Sequence, residues 1–366
     1  MRYLPYLGRL DALLWKGGPP LFVIFFVTNR CAGACPHCFV ERSDPSEREL
    51  GVDDYARIAP SLRGTLVAFL TGGEPFLRED LPDIARVLVR GAGLRQLILP
   101  TSGMSPQAVV DAVDRITGEA PETRVDVLLS LDGVGEVHDR IRGVPGLGRR
   151  VEETFRELRR LQAGRRNLGV EIQLTYSAFS QGHAEDVYRY SRDVLAADGF
   201  FFTVVRGRPR DPAAAALDLD RLETFTRLVD QGMLSRGEGY RGFPFATWMN
   251  AKTLLTHRIN LQELRTPRYR FPCYAGRLAA VVDPGGRVFP CEGRTTPLGS
   301  LPDAGWDLRA VWHSREAALE RRAIRRERCH CTHECFRTVG IVYNPRLLPR
   351  LLAARLRMVL ARAPRP

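Results

Sequence analysis

Leu21-Phe-Val-Ile-Phe-Phe-Val-Thr28-Asn-Arg-Cys31-Ala-Gly-Ala-Cys35-Pro-His-Cys38 runs from an apolar stretch straight into three cysteines. The apolar part, Leu21 to Val27, has the length of a strand and falls far short of the ~20 residues of a membrane span. The cysteines therefore sit on the loop that leaves a first strand. The order of elements beyond it decides the fold. Short apolar or β-branched runs bounded by Gly, Pro, Asp or Ser recur at Leu21–Thr28, Thr65–Leu70, Arg95–Pro100, Val125–Leu131, Val170–Tyr176 and Phe200–Val205. Between them lie helical patterns at Asp53–Leu62, Leu81–Arg90, Pro106–Ile116, Arg149–Gln162 and Ala184–Ala196. Strands joined by crossover helices are parallel, with the helices on one side. Six such units predict an α/β fold, an open, partial (β/α)6 TIM-like barrel with its chemistry at the C-terminal strand ends.

The composition agrees. The 366 residues are 44% hydrophobic and 26% charged, enough for one large core and a smaller second one. The N-terminus, with Arg2 and a mixed Leu/Gly/Asp stretch, lacks the shape of a secretory signal, so the expected location is the cytoplasm. The net charge is +12, but from Arg315 onward 13 arginines face 4 glutamates, so +9 of it lies in the tail. Lysine occurs only at Lys16 and Lys252. A nucleic-acid-binding protein would spread basic residues over a face or groove, and this chain does not.

Eight cysteines fall into two groups, Cys31, Cys35 and Cys38, then Cys273, Cys291, Cys329, Cys331 and Cys335. Clusters of odd number in a chain without an export signal favour metal over disulfides. Three thiolates spaced CxxxCxxC can grip three corners of a 4Fe–4S cube and leave the fourth iron open to another ligand. Zinc sites prefer CxxC pairs and four ligands. An electron-transfer cluster wants a fourth cysteine, and none lies between Cys38 and Cys273. His37 is adjacent to Cys38 and would compete for its corner.

The CxxxCxxC spacing resembles that of the radical S-adenosylmethionine (radical SAM) superfamily, and further motifs extend the resemblance. Thr71-Gly72-Gly73-Glu74-Pro75 at the end of the second strand resembles the family's GGEP motif. Pro100-Thr101-Ser102-Gly103 resembles its TNG, with Ser102 in place of Asn. Ser130-Leu131-Asp132-Gly133 followed by His138-Asp139-Arg140-Ile141-Arg142-Gly143 resembles the SLDG…HDxxRG pattern of the branch with extra C-terminal clusters. The resemblance implies a 4Fe–4S cluster on Cys31, Cys35 and Cys38. It also implies S-adenosylmethionine held by Gly72, Gly73, Glu74, Pro75, Thr101, Ser130, Asp132 and Arg142. Carbonyls and Glu74 would accept from the cofactor's ammonium, with the glycines allowing close backbone approach. Ser130 and Arg142 would face its ribose or carboxylate, for which a guanidinium has the right fork. One electron would then cleave the cofactor, and the 5′-deoxyadenosyl radical would take a hydrogen from substrate, so no nucleophile or triad is required. His183 and His257 accordingly read as surface or packing residues.

Near residue 270 the character changes. Leu278–Val282 and Arg287–Pro290 flank Asp283-Pro-Gly-Gly286, a hairpin signal with cysteines on either side. Cys273, then Gly286-Arg-Val-Phe-Pro-Cys291, then Cys329-His-Cys331-Thr-His-Glu-Cys335 resemble a SPASM/twitch-like domain. That resemblance implies an auxiliary 4Fe–4S cluster on four of five cysteines, with Cys273, Cys291 and Cys335 the firmest ligands. His330 and His333 are conceivable substitutes, and zinc is the alternative metal. The expected organisation is an extension (1–19), the barrel (20–208), a helical connector (209–269), a small cysteine-rich α+β domain (270–344) and a basic tail (345–366). In the tail, Leu347, Leu348, Leu351, Leu352, Leu356, Val359 and Leu360 are expected on one helical face, which can cap the core or lie at a membrane surface.

The expected substrate is a peptide or a small metabolite. An electron donor such as a flavodoxin or ferredoxin would be a partner. Only 30 residues precede Cys31, so peptide recognition is expected from a separate chain. The competing reading is a non-catalytic iron–sulfur or zinc protein in electron transfer or scaffolding, which leaves Gly72–Pro75 and Ser130–Gly133 without a purpose.

Overall fold

Strand β1 (Phe22–Thr28) shows how the sequence builds the sheet. Its side chains alternate between two buried faces. Val23, Phe25 and Val27 pack with Tyr55, Ile58 and Leu62 of the helical layer, whereas Phe22 and Ile24 pack with Ala279, Val281 and Phe336 on the other side. Burial on both faces explains the nearly unbroken apolar run. The computed structural model describes residues 9–13, 18–40, 48–241 and 245–362.

Five more parallel strands follow β1: β2 (Val67–Gly72), β3 (Gln96–Thr101), β4 (Arg124–Ser130), β5 (Leu168–Tyr176) and β6 (Gly199–Val204). Each pairs with its predecessor, in the order β6-β5-β4-β3-β2-β1, and the sheet does not close on itself. The helices between them are α1 (Val52–Ile58), α2 (Leu81–Ala92), α3 (Pro106–Glu119), α4 (Glu136–Arg142), α5 (Leu147–Gln162) and α6 (Ala184–Asp193). The expected open partial barrel is therefore present, and its boundaries lie within a few residues of those read from the sequence. The short α4 was not foreseen. It follows the Asp132-Gly133 turn and ends at Gly143, whose φ of 67° is a left-handed C-terminal cap that glycine adopts at no steric cost.

Beyond the barrel come α7 (Leu219–Gln231), α8 (Ala246–Arg265), β7 (Ala279–Val282), β8 (Arg287–Phe289) and β9 (Gly299–Ser300). The hairpin expected around Asp283–Gly286 is there, its turn closed by Gly286 N–H donating to Asp283 O at 3.0 Å. It does not stand apart from the barrel. Strand β7 pairs in parallel with β1, Phe22 opposite Ala279 through Phe25 opposite Val282, so the cysteine-bearing segment extends the barrel sheet. Helices α9 (Leu308–Trp312), α10 (Arg315–Arg326), α11 (Glu334–Val342) and α12 (Leu348–Arg362) complete the chain.

The tail corrects one expectation. Its apolar residues occupy two faces of α12 and the turn before it. Leu347, Leu351 and Met358 are buried with Ala251, Leu255 and Ile259 of α8, whereas Leu352, Leu356, Val359 and Leu360 are exposed. Seven residues read as one stripe span too wide an arc for one side of a helix at 100° per residue. No helix among the described residues is long and apolar enough to cross a membrane.

Trp312 secures the C-terminal segment to the barrel. It is fully buried, its Nε1 donates to Gly18 O at 3.0 Å, and the Arg321 guanidinium lies 4.7 Å above its ring. Nearby, Leu308 N–H donates to Ser61 Oγ at 3.0 Å. Trp312→Ala is expected to cost about 3–5 kcal/mol, a large share of a domain's stability, read as a lower urea midpoint. A midpoint equal to that of the wild type would show that the segment is not held here.

Candidate active site

The loop after β1 carries Cys31, Cys35 and Cys38, and the end of α4 and the loop after β6 hold it in place. Ala34 N–H donates to Arg142 O at 3.0 Å, Asp211 N–H to Pro36 O at 2.9 Å, and Arg210 N–H to Cys38 O at 3.0 Å. Gly33 N–H points at Cys31 Sγ, 3.3 Å away, and a Cβ placed on Gly33 would sit 3.5 Å from the sulfurs of both Cys31 and Cys35. Burial pushes the thiols of Cys31 and Cys35 up. The Gly33 N–H at Cys31 and Arg142 at Cys35 act the other way, as groups that favour thiolate do. Three soft ligands on one held loop, with N–H and guanidinium donors behind them, fit the three-cornered grip of a 4Fe–4S cluster.

The glycines of Thr71–Pro75 have a clear task. A Cβ on Gly72 would lie 2.0 Å from Thr28 O, and one on Gly73 would lie 2.2 Å from Arg30 O. The end of β2 runs against the backbone of the cysteine loop, joined by Gly73 N–H to Thr28 O (2.8 Å) and Glu74 N–H to Arg30 O (2.9 Å). Glycine is required for this backbone-to-backbone approach, and both glycines also line the cavity. Glu74 is likewise committed. Its Oε1 accepts from Thr101 Oγ1 (2.8 Å) and Phe76 N–H (3.3 Å), and its Oε2 from the N–H (2.7 Å) and hydroxyl of Ser102. All four lone-pair directions of the carboxylate are used inside the protein. Glu74 thus clamps the end of β2 to the end of β3, and Ser102, the departure from TNG, supplies two of the donors. Pro75 is buried in the turn after it.

Asp132 is fully buried after β4. Its Oδ2 accepts from Arg142 Nε at 2.6 Å and its Oδ1 from Thr175 N–H at 2.8 Å. His37 Nε2 is 3.6 Å from Oδ2, and Asp132 N–H donates to His138 Nδ1 at 3.0 Å. Burial opposes the charge of Asp132, but Arg142, the neighbouring His37 and His138 and the Thr175 N–H together hold the carboxyl below its usual range. Burial pushes His37 down to about 4, so near neutrality it meets Asp132 as neutral imidazole and Arg142 supplies the charge. Asp132 therefore lies behind Arg142 and does not face the open space. Ser130, Thr101 and Arg142 do face it.

That space is a cavity of about 640 Å³ running through the barrel interior, from Cys31 and Arg142 to Glu292, Glu334 and Cys335 of the C-terminal segment. Its walls are mainly apolar, with Phe22, Phe69, Phe201, Trp248 and Met249 among them. Two acids lie in its strands. Asp126 accepts from Arg124 Nε and Gln96 Nε2, both at 2.6 Å. Burial first, and Asp126 second, push Glu171 well above the usual carboxyl range. The sequence reading passed over both, although acids at alternate positions of an apolar strand mark a lined interior. It also placed His257 among packing residues. The ring does stack on Phe202 at 4.6 Å, but it lines the cavity too and is held through Nδ1 by Asp230 at 2.6 Å.

In the second cysteine group, Cys273 and Cys329 are neighbours: Cys273 pushes Cys329 down, while Cys329 and burial push Cys273 up. Cys331 acts on both Cys273 and Cys291. Cys335 stands at the cavity edge, where burial and then Glu292 push it up to about 12. His333 lies 3.1 Å from Glu292 and His330 3.5 Å from Glu263, so each imidazole already faces a carboxylate. Among the described residues, no three His, Cys, Asp or Glu side chains converge closely enough to hold a single metal ion.

The model of the Radical SAM superfamily matches residues 25–170. The PqqA peptide cyclase of Bradyrhizobium diazoefficiens is 30% identical over 316 residues, covering 82% of this chain and 74% of that protein. The chain belongs to the radical SAM superfamily. The cofactors of that family are a 4Fe–4S cluster and S-adenosylmethionine. The AdoMet-dependent heme synthase of Oleidesulfovibrio alaskensis is 28% identical over 230 residues, 59% of this radical SAM chain, which spans about half (54%) of that curated relative. The fold is also that of native anSMEcpe with bound AdoMet, with a TM-score of 0.60 at 13% identity over 93% of this chain and 97% of that one.

Removing the charge of Asp132 while keeping its shape isolates its role. Asp132→Asn leaves Arg142 buried without a counter-ion, which is expected to cost about 3–5 kcal/mol in chemical denaturation. Iron bound by the Cys31–Cys38 loop should fall with it. Unchanged stability and unchanged iron would remove Asp132 from the support of that loop.

Proposed function

We propose that this chain is a radical SAM enzyme acting on a peptide, with an auxiliary 4Fe–4S cluster on four of Cys273, Cys291, Cys329, Cys331 and Cys335. The observation that carries the reading is one cavity lined at one end by Cys31, Arg142 and Ser130 and at the other by Cys335 and Glu292. The bound cluster and S-adenosylmethionine would supply a 5′-deoxyadenosyl radical for hydrogen abstraction. The rest falls to the chain itself. Cys31, Cys35 and Cys38 would ligate, with the loop held rigid by Arg142 O, Thr28 O and Arg30 O. Arg142, its Nε fixed by Asp132, would offer its remaining N–H groups to a carboxylate, and Ser130 and Thr101 would line the nucleoside. The apolar walls would keep water from a reactive carbon radical. Asp132 and Glu74 are positioning residues here.

A peptide is preferred over a small metabolite because a peptide cyclase aligns with 82% of this chain, over 74% of its own length. The crystal structure of Streptococcus suis SuiB bound to precursor peptide SuiA shares the fold, with a TM-score of 0.57 at 16% identity over 85% of this chain and 68% of that one. A flavodoxin or ferredoxin would deliver the electron, and a separate protein could present the peptide.

The test is anaerobic reconstitution with iron and sulfide, an iron count per chain, and dithionite-dependent formation of 5′-deoxyadenosine. About eight irons with cleavage are expected. Cys31→Ala/Cys35→Ala/Cys38→Ala should lose about four irons and all cleavage, whereas Cys273→Ala/Cys291→Ala should lose about four irons and retain the first site. A wild-type protein that forms no 5′-deoxyadenosine ends the reading. Zinc in the C-terminal site after purification would end the auxiliary cluster alone.

A further inference from the structure

The cavity that runs from the cysteine loop to the C-terminal segment is lined by four basic side chains among the described residues: Arg142, Arg206, Arg210 and Lys252. Three of them are committed. Arg142 donates to Asp132 at 2.6 Å, Arg206 to Glu292 at 3.3 Å while covering the Phe39 ring at 4.9 Å, and Arg210 to Gly33 O at 3.2 Å. Lys252 differs. It is only 5% exposed, yet among the described residues its ammonium has no hydrogen-bond acceptor and no carboxylate within 4.0 Å. It lies 5.8 Å from the Tyr240 ring, and Glu334 and Cys335 act on it only from farther off. An ammonium set in a mainly apolar wall, with no protein acceptor among the described residues, has its three donors open to whatever enters the cavity, and an anion is the ligand it favours.

The surroundings say which anion. Lys252 lies on α8 one turn from Trp248 and Met249 and one turn from Thr256, all on the cavity wall. Strand β6 adds Phe201 and Phe202 to the lining. An ammonium set in aromatic and thioether surface selects a single carboxylate carried on an apolar or aromatic body. It does not select a phosphate, which would ask for several donors.

We propose that Lys252 is the anchor for a carboxylate of the substrate, held at the C-terminal end of the cavity while the reacting carbon faces the cysteine loop. The inference rests on this cavity being the substrate chamber of a radical SAM enzyme. It makes Lys252 a specificity residue whose effect falls on binding.

The experiment uses the reconstituted full chain saturated with S-adenosylmethionine, with 3-phenylpropionate and its neutral isostere 3-phenylpropionamide as probes. Lys16 and Lys252 are the only lysines in the chain, so an amine-acylating reagent followed by mass spectrometry reads Lys252 with Lys16 as internal control. The acid is expected to slow acylation of Lys252 and leave Lys16 unchanged, and the amide to protect neither. By calorimetry the acid should bind about tenfold or more tighter than the amide, a preference lost in Lys252→Gln and kept in Lys252→Arg. Equal protection by acid and amide, protection by neither, or an undiminished preference in Lys252→Gln would overturn the anchor. The wild-type sample is assayed in parallel for 5′-deoxyadenosine. Cleavage without acid selectivity sinks only Lys252, whereas absence of cleavage sinks the enzyme reading.

Discussion

A buried carboxylate with no access to water, Asp132, joins three parts of the chain that lie far apart in sequence. It takes Arg142 from the end of α4, the N–H of Thr175 from β5, and the neutral ring of His37 from the cysteine loop. Each partner alone would be a minor contact. Together they satisfy a charge that would otherwise be untenable in the interior. Because Arg142 O also receives Ala34 N–H, the cysteine loop and the arginine that faces the cavity move as one body. Preorganisation of this kind lets a flexible-looking loop, rich in Gly and Ala, hold three thiols in a fixed array.

A second clamp acts one strand over. Glu74 spends both oxygens on the Thr101-Ser102 segment, and Gly72 and Gly73 press the end of β2 onto Thr28–Arg30. The two clamps bracket the C-terminal ends of β1 to β5, the side on which parallel α/β folds gather their chemistry. Motif residues here brace the framework and face the cavity as well: Gly72, Gly73, Glu74, Thr101, Ser130 and Arg142 all line it.

This double role explains what the sequence could disclose. Strands and helices of the barrel were legible because the short apolar or β-branched runs of β1 to β6 and their Gly, Pro, Asp and Ser boundaries are local signals. The cysteine loop was legible by its spacing. The roles of Glu74 and Asp132 were not, since a carboxylate that binds a ligand and one that braces its neighbours have the same place in a motif. Lys252 and His257 were missed because they sit mid-helix in α8, whose two sides are both buried, so no amphipathic pattern marks the wall they form. The retrospective signal at Lys252 is compositional: a lysine kept within a chain whose other basic residues are almost all arginine. Arginine carries a broad planar head, whereas an ammonium is compact enough to remain unpaired beside Tyr240 until an anion arrives.

The placement of the two cysteine groups follows from one register. Strand β1 delivers Cys31 beyond its C-terminal end, and β7 runs beside it in the same direction, with Cys273 preceding β7. The antiparallel β8 then returns the chain toward the level of Phe22, so Cys291 emerges on the same side as Cys273. The Arg206 side chain touches the neighbours of both groups, lying 4.9 Å over the Phe39 ring and 3.3 Å from Glu292. The cavity runs between the groups along the inner face of the barrel, past Phe22, Ile24 and Phe69. A ligand that occupied it fully would have one end at the cysteine loop and the other among Lys252, Glu334 and Cys335. The arrangement sets Lys252 toward one end of the cavity and the cysteine loop at the other. It also separates the end that is recognised from the end that reacts, so remote binding energy can position the reacting carbon.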